Sequence, residues 1–200
     1  MLFKSFSEKI NTTLGRLSPA RRIFLSFALV IFAGSLLLSL PFVQATSSQA
    51  TYFDHLFTAV SMVCVTGLFT QPVATTYNIW GQLICMFLIQ IGGLGLMTFI
   101  GVFYIQSKQK LSLRSRETIL ESFSYGETQS LMVFIRSIFL TTFIVEGLGA
   151  FLLSFRFVPE FGWGRGIFTS IFVAISAFCN AGFDNFGSTS LVAFQTDPLI

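Results

Sequence analysis

"SMVCVTGLFT", residues 61–70, closes an apolar stretch that is too short to cross a membrane. Read as a helix, residues 51–63 (TYFDHLFTAVSMV) gather Phe53, Leu56, Phe57, Val60 and Val63 on one face. A helix of that length runs about 20 Å. It reaches the middle of a ~30 Å hydrocarbon core and stops there. The run Cys64-Val65-Thr66-Gly67 that follows is more polar and poorly helical. Whether this segment lies on a surface or dips into a bilayer decides the fold.

Composition favours a bilayer. The 200 residues are 53% hydrophobic and 10% charged, with 26 phenylalanines, against about 25% charged residues in a soluble domain. The net charge is +3, and the basic residues fall in blocks without the aromatic interleaving of a nucleic-acid groove, so that partner is set aside. Cys64, Cys85 and Cys179 lie in apolar surroundings with no disulfide or zinc spacing. They read as small buried apolar residues.

Three runs are long enough to span: 23–43, 79–105 and 131–155. Trp80 and Tyr104 stand near the ends of the second as interfacial anchors. Val43-Gln44-Ala45 has the small residues of a signal cleavage site. The apolar run before it is longer than a signal peptide uses, and about twenty residues precede that run, so it reads as a retained span.

The basic residues orient these runs. Lys4, Lys9, Arg16, Arg21 and Arg22 precede the first; Lys108, Lys110, Arg114, Arg116 and Arg136 lie between the second and third or at the third's start. Residues 44–78 contain no Lys or Arg. The positive-inside rule puts the N-terminus (1–22) and the 106–130 loop in the cytoplasm. An even number of crossings must separate them, and spans 23–43 and 79–105 already supply it. Residues 51–68 are therefore expected to enter the membrane and return on the same side. Irregular backbone at that depth needs protein or a water-filled cavity around it. Gly67 permits close approach of backbone to an ion, and the helix C-terminus presents its negative end to a cation. A surface hairpin or a helix lying on the outer leaflet is the plainer alternative.

The segment recurs. With Gly67 set on Gly182, FDHLFTAVSMVCVTGL (53–68) lies beside FTSIFVAISAFCNAGF (168–183). Identities fall at Phe53/Phe168, Phe57/Phe172, Ala59/Ala174, Ser61/Ser176, Cys64/Cys179 and Gly67/Gly182. A fixed period is an architectural signal. The expected fold is an all-α polytopic membrane protein of repeated span, re-entrant pore helix and span, potassium-channel-like. The first repeat covers 23–105, with pore helix 51–63, filter 64–68 and second span 79–105. The second, incomplete repeat covers 131–200, with span 131–155, pore helix 165–178 and filter 179–183.

AISAFCNAGFDNFG (174–187), VTGL (65–68) and IQIGGLGLMTF (89–99) resemble the two pore-loop signatures and the helix after the first loop in the Trk/Ktr/HKT potassium transporters. The short N-terminus is closer to the Ktr-type membrane subunit. The resemblance implies four such units around one pore, so this chain corresponds to an N-terminal portion, truncated after the second pore loop. It implies that backbone carbonyls of Cys64, Val65, Thr66, Gly67 and Leu68, and of Cys179, Asn180, Ala181, Gly182 and Phe183, replace the hydration shell of a potassium ion. Glycine rather than serine at position 67 favours potassium over sodium.

The resemblance further implies a multi-pass protein of the bacterial inner membrane and a homodimer of full-length chains. A cytosolic nucleotide-binding regulatory subunit is an expected partner, with the 106–130 loop as one place for it to dock. The transported ion is potassium, with sodium kept open as a co-requirement and no organic cofactor. No Walker motif and no phosphorylatable aspartate motif of a pump is present, so transport is expected to follow the ion gradient and membrane potential.

Glu146, in the third span, is an auxiliary candidate, since an intramembrane carboxylate is costly. Arg165 or backbone near the second pore helix are its expected partners, and orienting that helix is its plainer role. Asp184, beyond the second filter, would raise local cation concentration at the mouth. Asp54 suits the positive end of the first pore helix, and His55 beside it reads as an ordinary interfacial residue. The glycines around 92 and 147 are read as packing positions. One histidine and few acids give no enzyme constellation. Alternatives to transport are a non-conducting membrane fragment, an assembly partner for longer chains, or a sodium-selective transporter.

Overall fold

The computed structural model describes residues 19–95, 128–187, 190–197 and 200. Residues 1–18, the 96–105 part of the expected second span with Tyr104, and the 106–127 part of the basic loop lie outside the described residues. The chain divides into two units. In the first, Met1–Leu29 with Leu96–Arg136, the described backbone is helical. The contacts treated below belong to the second, Val30–Gly95 with Ser137–Ile200.

The described elements are α1 (Pro19–Leu38), a 3-10 turn (Pro41–Val43), α2 (Tyr52–Val63), α3 (Val73–Thr76), α4 (Ile79–Gly93), α5 (Thr128–Phe161), α6 (Trp163–Phe178) and a second 3-10 turn (Ser190–Phe194). Among the described residues there is no β-strand; an isolated bridge joins Gln44 to Tyr77.

α1 stops five residues short of the expected end at Val43 because Leu40 precedes a proline, which disfavours helical backbone there. Leu40 is extended (φ −68°, ψ 135°), and Pro41 opens the 3-10 turn. The Val43 carbonyl then accepts the Asn78 N–H at 3.0 Å. The Asn78 side chain in turn caps α4, accepting from the N–H groups of Trp80 (2.9 Å) and Gly81 (3.2 Å).

α2 begins after Thr51, whose N–H and hydroxyl both donate to the Asp54 carboxylate at 2.7 Å. The Asp54 carboxylate thus satisfies the N–H of the residue before the helix, while the Asp54 N–H donates back to the Thr51 carbonyl at 3.0 Å. Of the apolar face expected at Phe53, Leu56, Phe57, Val60 and Val63, Phe53, Phe57 and Val60 are exposed, Leu56 is half-buried and Val63 is buried. α2 buries His55, Thr58, Ala59, Ser61, Met62 and Val63, a surface of mostly small side chains. It packs against α4. Small residues let two helix backbones approach closely where lipid offers no hydrophobic drive for helix association.

α5 contains the one helix among the described residues that is long and apolar enough to cross a membrane, Arg136–Phe161, with 11% of its most apolar window buried. It outlasts the expected end at Phe155 and carries Pro159 in its last turn. Gly162, at φ +80°, ends it by entering the left-handed region. α6 starts at once with Trp163, and the Arg165 guanidinium lies over the Phe161 ring at 5.7 Å. The chain after α6 returns to α5 through Phe186 and Phe194, whose rings lie 5.1 and 5.6 Å from that of the fully buried Phe157. Regular structure that is all helical among the described residues, with exposed phenylalanine and leucine, suits a lipid solvent.

Candidate functional site

α2 and α6 end in the same way. Cys64 (φ −87°, ψ −1°) and Cys179 (φ −74°, ψ −4°) are the last residues with helical backbone. Val65 (φ +56°) and Asn180 (φ +54°) then turn left-handed, and so do Gly67 (φ +72°) and Gly182 (φ +69°). A β-branched residue in that region costs on the order of 1–3 kcal/mol. Val65 is held there by the bonds of its neighbours.

Those bonds also settle where the carbonyls point. Val65 N–H donates to Met62 O (3.4 Å), Thr66 N–H to Ser61 O (2.9 Å) and Leu68 N–H to Ser61 Oγ (2.9 Å). In the second loop Asn180 N–H donates to Ala177 O (3.0 Å), Ala181 N–H to Ser176 O (2.7 Å) and Phe183 N–H to Ser176 Oγ (2.9 Å). No peptide bond here is cis. In a trans peptide the C=O opposes the N–H of the next residue. The carbonyls of Cys64, Val65 and Gly67, and of Cys179, Asn180 and Gly182, therefore point away from their helices. No hydrogen bond among the described residues ends on them. Cys64, Asn180 and Gly182 are exposed, Val65 and Gly67 half-buried and Cys179 buried, so most of this row opens on a surface from which water or a cation can reach it.

The two loops meet at their glycines. A Cβ on Gly67 would stand 3.0 Å from Ala181 O and 3.4 Å from Gly182 Cα, and one on Gly182 would stand 3.2 Å from Gly67 Cα. Just beyond, Phe69, Pro72, Val73, Phe183, Asp184 and Gly187 line a shallow crevice.

α4 carries both helix ends. A Cβ on Gly92 would stand 2.5 Å from Val63 O and 2.8 Å from Met62 O, and one on Gly93 would stand 2.5 Å from Cys179 Cβ. Packing is thus the role of this glycine pair. Gln90, one turn earlier, accepts from Cys179 Sγ at 3.9 Å through its Oε1 and donates through Nε2 to Glu146 Oε1 at 2.8 Å. The partner of Glu146 is Gln90, not Arg165.

Ser61 and Ser176 were missed as site residues. Each uses its hydroxyl to hold a loop N–H, and Ser61 Oγ also bonds Thr66 Oγ1 at 2.7 Å. The signal was present in the repeat, where Ser61/Ser176 is one of the identities.

Asp184 braces its own turn. Its carboxylate accepts from the Phe186 N–H (3.0 Å) and from the Ser190 hydroxyl. Asp54 is held to a pKa of about 2 by its hydrogen bonds from Thr51. His55 is buried. Gln44 Nε2 can only donate, and it does so to Ser39 O (2.9 Å) and His55 Nε2 (3.2 Å). His55 Nε2 must therefore accept, leaving Nδ1–H to donate to Tyr77 Oη at 2.9 Å. Burial lowers the His55 pKa, opposed by the charge of Asp54, and burial raises that of Tyr77. The three cysteines are free thiols.

Known proteins match this chain along almost all its length. It is 42% identical over 182 residues to the potassium/sodium uptake protein NtpJ of Enterococcus hirae, covering 91% of this chain and 40% of that protein. It is 36% identical over 185 residues to the Ktr system potassium uptake protein B of Bacillus subtilis, covering 92% of this chain and 41% of that one. With the Vibrio alginolyticus Ktr system potassium uptake protein B the identity is 38% over 180 residues, covering 90% and 39% respectively. The chain thus spans about two fifths of the length of these relatives. Residues 21–200 match the TrkH family of cation transport proteins, and the chain belongs to that family.

Proposed function

We propose that the chain supplies two filter loops, 64–68 and 179–183, to a potassium-uptake pore. The observation that carries this reading is the row of carbonyls at Cys64, Val65, Gly67, Cys179, Asn180 and Gly182, turned from their helices and meeting no donor among the described residues. Such oxygens suit the replacement of a cation's hydration shell. The C-terminal, negative ends of α2 and α6 lie at these loops and add to the attraction. Two relatives are named for potassium uptake and a third for potassium and sodium uptake. Potassium is the favoured cargo because position 67 is glycine, and movement follows the ion gradient and membrane potential.

In this reading α2 and α6 are pore helices that enter and leave on the outer side of a bacterial inner membrane. Lipid covers the outward phenylalanines, and a cytosolic nucleotide-binding subunit regulates a dimer of the complete protein.

The test is potassium-limited growth of a bacterium lacking its own uptake systems. The product of the complete reading frame is expected to restore growth, and its Gly182→Asp variant to fail while still reaching the membrane. Rescue by that variant would overturn the filter assignment. Sodium-stimulated uptake measured in the same cells decides whether sodium is co-required.

A further inference from the structure

We infer that Glu146 and Gln90 form a side-chain strut that positions the second loop and so tunes its discrimination between potassium and sodium; this rests on the filter reading above. Glu146 is 7% exposed, whereas its neighbours Phe143, Ile144, Val145 and Leu148 are 45–63% exposed. The carboxylate is thus turned inward on a helix whose adjacent side chains face outward. An intramembrane carboxylate needs a polar partner, and Gln90 is the one it meets.

The Gln90 amide has a single orientation that satisfies both ends. Its Nε2 donates to Glu146, and its Oε1 accepts the Cys179 thiol. Cys179 also rests against Gly93, on the same face of α4 one turn along. It is therefore fixed from two sides, and it is the residue from which Asn180–Gly182 depart. Without Glu146 the amide is free to rotate, and the seat of Cys179 loses one wall. Among the described residues the first loop shows no equivalent strut, and its cysteine, Cys64, is exposed. Glu146 and Gln90 are accordingly positioning residues for one loop.

The experiment measures initial rates of potassium and sodium uptake in cells expressing the complete protein. Wild type is compared with Glu146→Gln, Glu146→Leu, Gln90→Leu and Gly182→Asp, with membrane amounts matched. Glu146→Gln keeps an acceptor for Gln90 and is expected to keep the wild-type preference. Glu146→Leu and Gln90→Leu are expected to lower the preference for potassium about tenfold, the upper scale of one lost hydrogen bond. The change should appear as a raised KM for potassium with little loss of maximal rate. If Glu146→Leu fails to reach the membrane, Gln90→Leu carries the comparison. An unchanged preference in Gln90→Leu, with Gly182→Asp inactive, overturns the strut and leaves the filter reading standing. Equal defects in Glu146→Gln and Glu146→Leu also overturn it, since they would make charge the active property. Uptake that survives in Gly182→Asp removes the filter reading and the strut with it.

Discussion

Gly93 and Cys179 lie so close that a Cβ added to the glycine would stand 2.5 Å from the cysteine's own Cβ. Even one methyl group must push α6 off α4. Gly93→Ala is expected to cost about 1–3 kcal/mol, the usual range for overpacking. Gly147→Ala on α5 meets nothing within 4 Å and should be neutral. Thermal unfolding of the detergent-purified protein, followed by fluorescence-detected size exclusion, separates the two. Equal melting temperatures for both variants would contradict the packing described here.

Ser61 and Ser176 give a second comparison. Removing either hydroxyl leaves a loop N–H without its acceptor, at a cost of about 1–3 kcal/mol. Ser176→Ala should be the more severe, because the Phe183 N–H bond is buried while the Leu68 N–H bond is partly so. Weakened potassium affinity with unchanged membrane abundance is the expected result. Thr in place of Ser at either position should recover it.

The hydrogen bonds of buried His55 to Gln44 and Tyr77 predict acid sensitivity. Its pKa in the fold lies below the ordinary 6.5, so the unfolded chain takes up the proton first. Stability from this group is fully present above pH 6.5 and falls as the pH drops from there through the lowered value. The geometry gives the cause: a proton on Nε2 would face the Gln44 N–H that it now accepts. Asp54 adds a second loss at lower pH, between 3.8 and about 2, as its Thr51 hydrogen bonds are given up. Melting temperature against pH should fall below 6.5 in the wild type and flatten over that window in His55→Asn.

At the far end of α5, charge and aromatic packing are expected to contribute unequally. Arg156 bonds Asp197 at 2.6 Å and Glu160 at 2.5 Å, but its side chain is 35% exposed. Asp197→Asn should therefore change stability by no more than about 1 kcal/mol. Phe157, fully buried among Phe161, Phe186 and Phe194, should cost about 3–5 kcal/mol on conversion to alanine. A larger loss from Asp197→Asn than from Phe157→Ala in the same melting assay would reverse that ranking.

How much of this was legible beforehand follows from the range of each interaction. Helices were expected at 51–63 and 165–178 because apolar spacing and a following glycine are local signals, and the structure has helix at Tyr52–Val63 and Trp163–Phe178. The likeness of their ends was visible too, as identity between the two segments, but that the two glycines meet was not. The packed face of α2 was legible only in part: Val63 is buried as expected, but Phe53, Phe57 and Val60 are exposed. Apolar periodicity marks the face that avoids water, and in lipid that is not the face that meets protein. The partner of Glu146 was hidden for a different reason: Gln90 lies 56 residues away, and nothing in its local sequence marks its amide as a bridge. The 3-10 turn at Pro41 could have been read from the proline alone.

The resting of both helix ends on adjacent glycines of α4 has a mechanical meaning. Gly92 and Gly93 act as a common fulcrum under α2 and α6. Close-packed contacts transmit strain rather than absorb it, so a tilt or rotation of α4 would displace both glycine turns together. Neither loop can drift alone without opening a gap beneath it. A displacement of α4 at either glycine is thus felt at both loops.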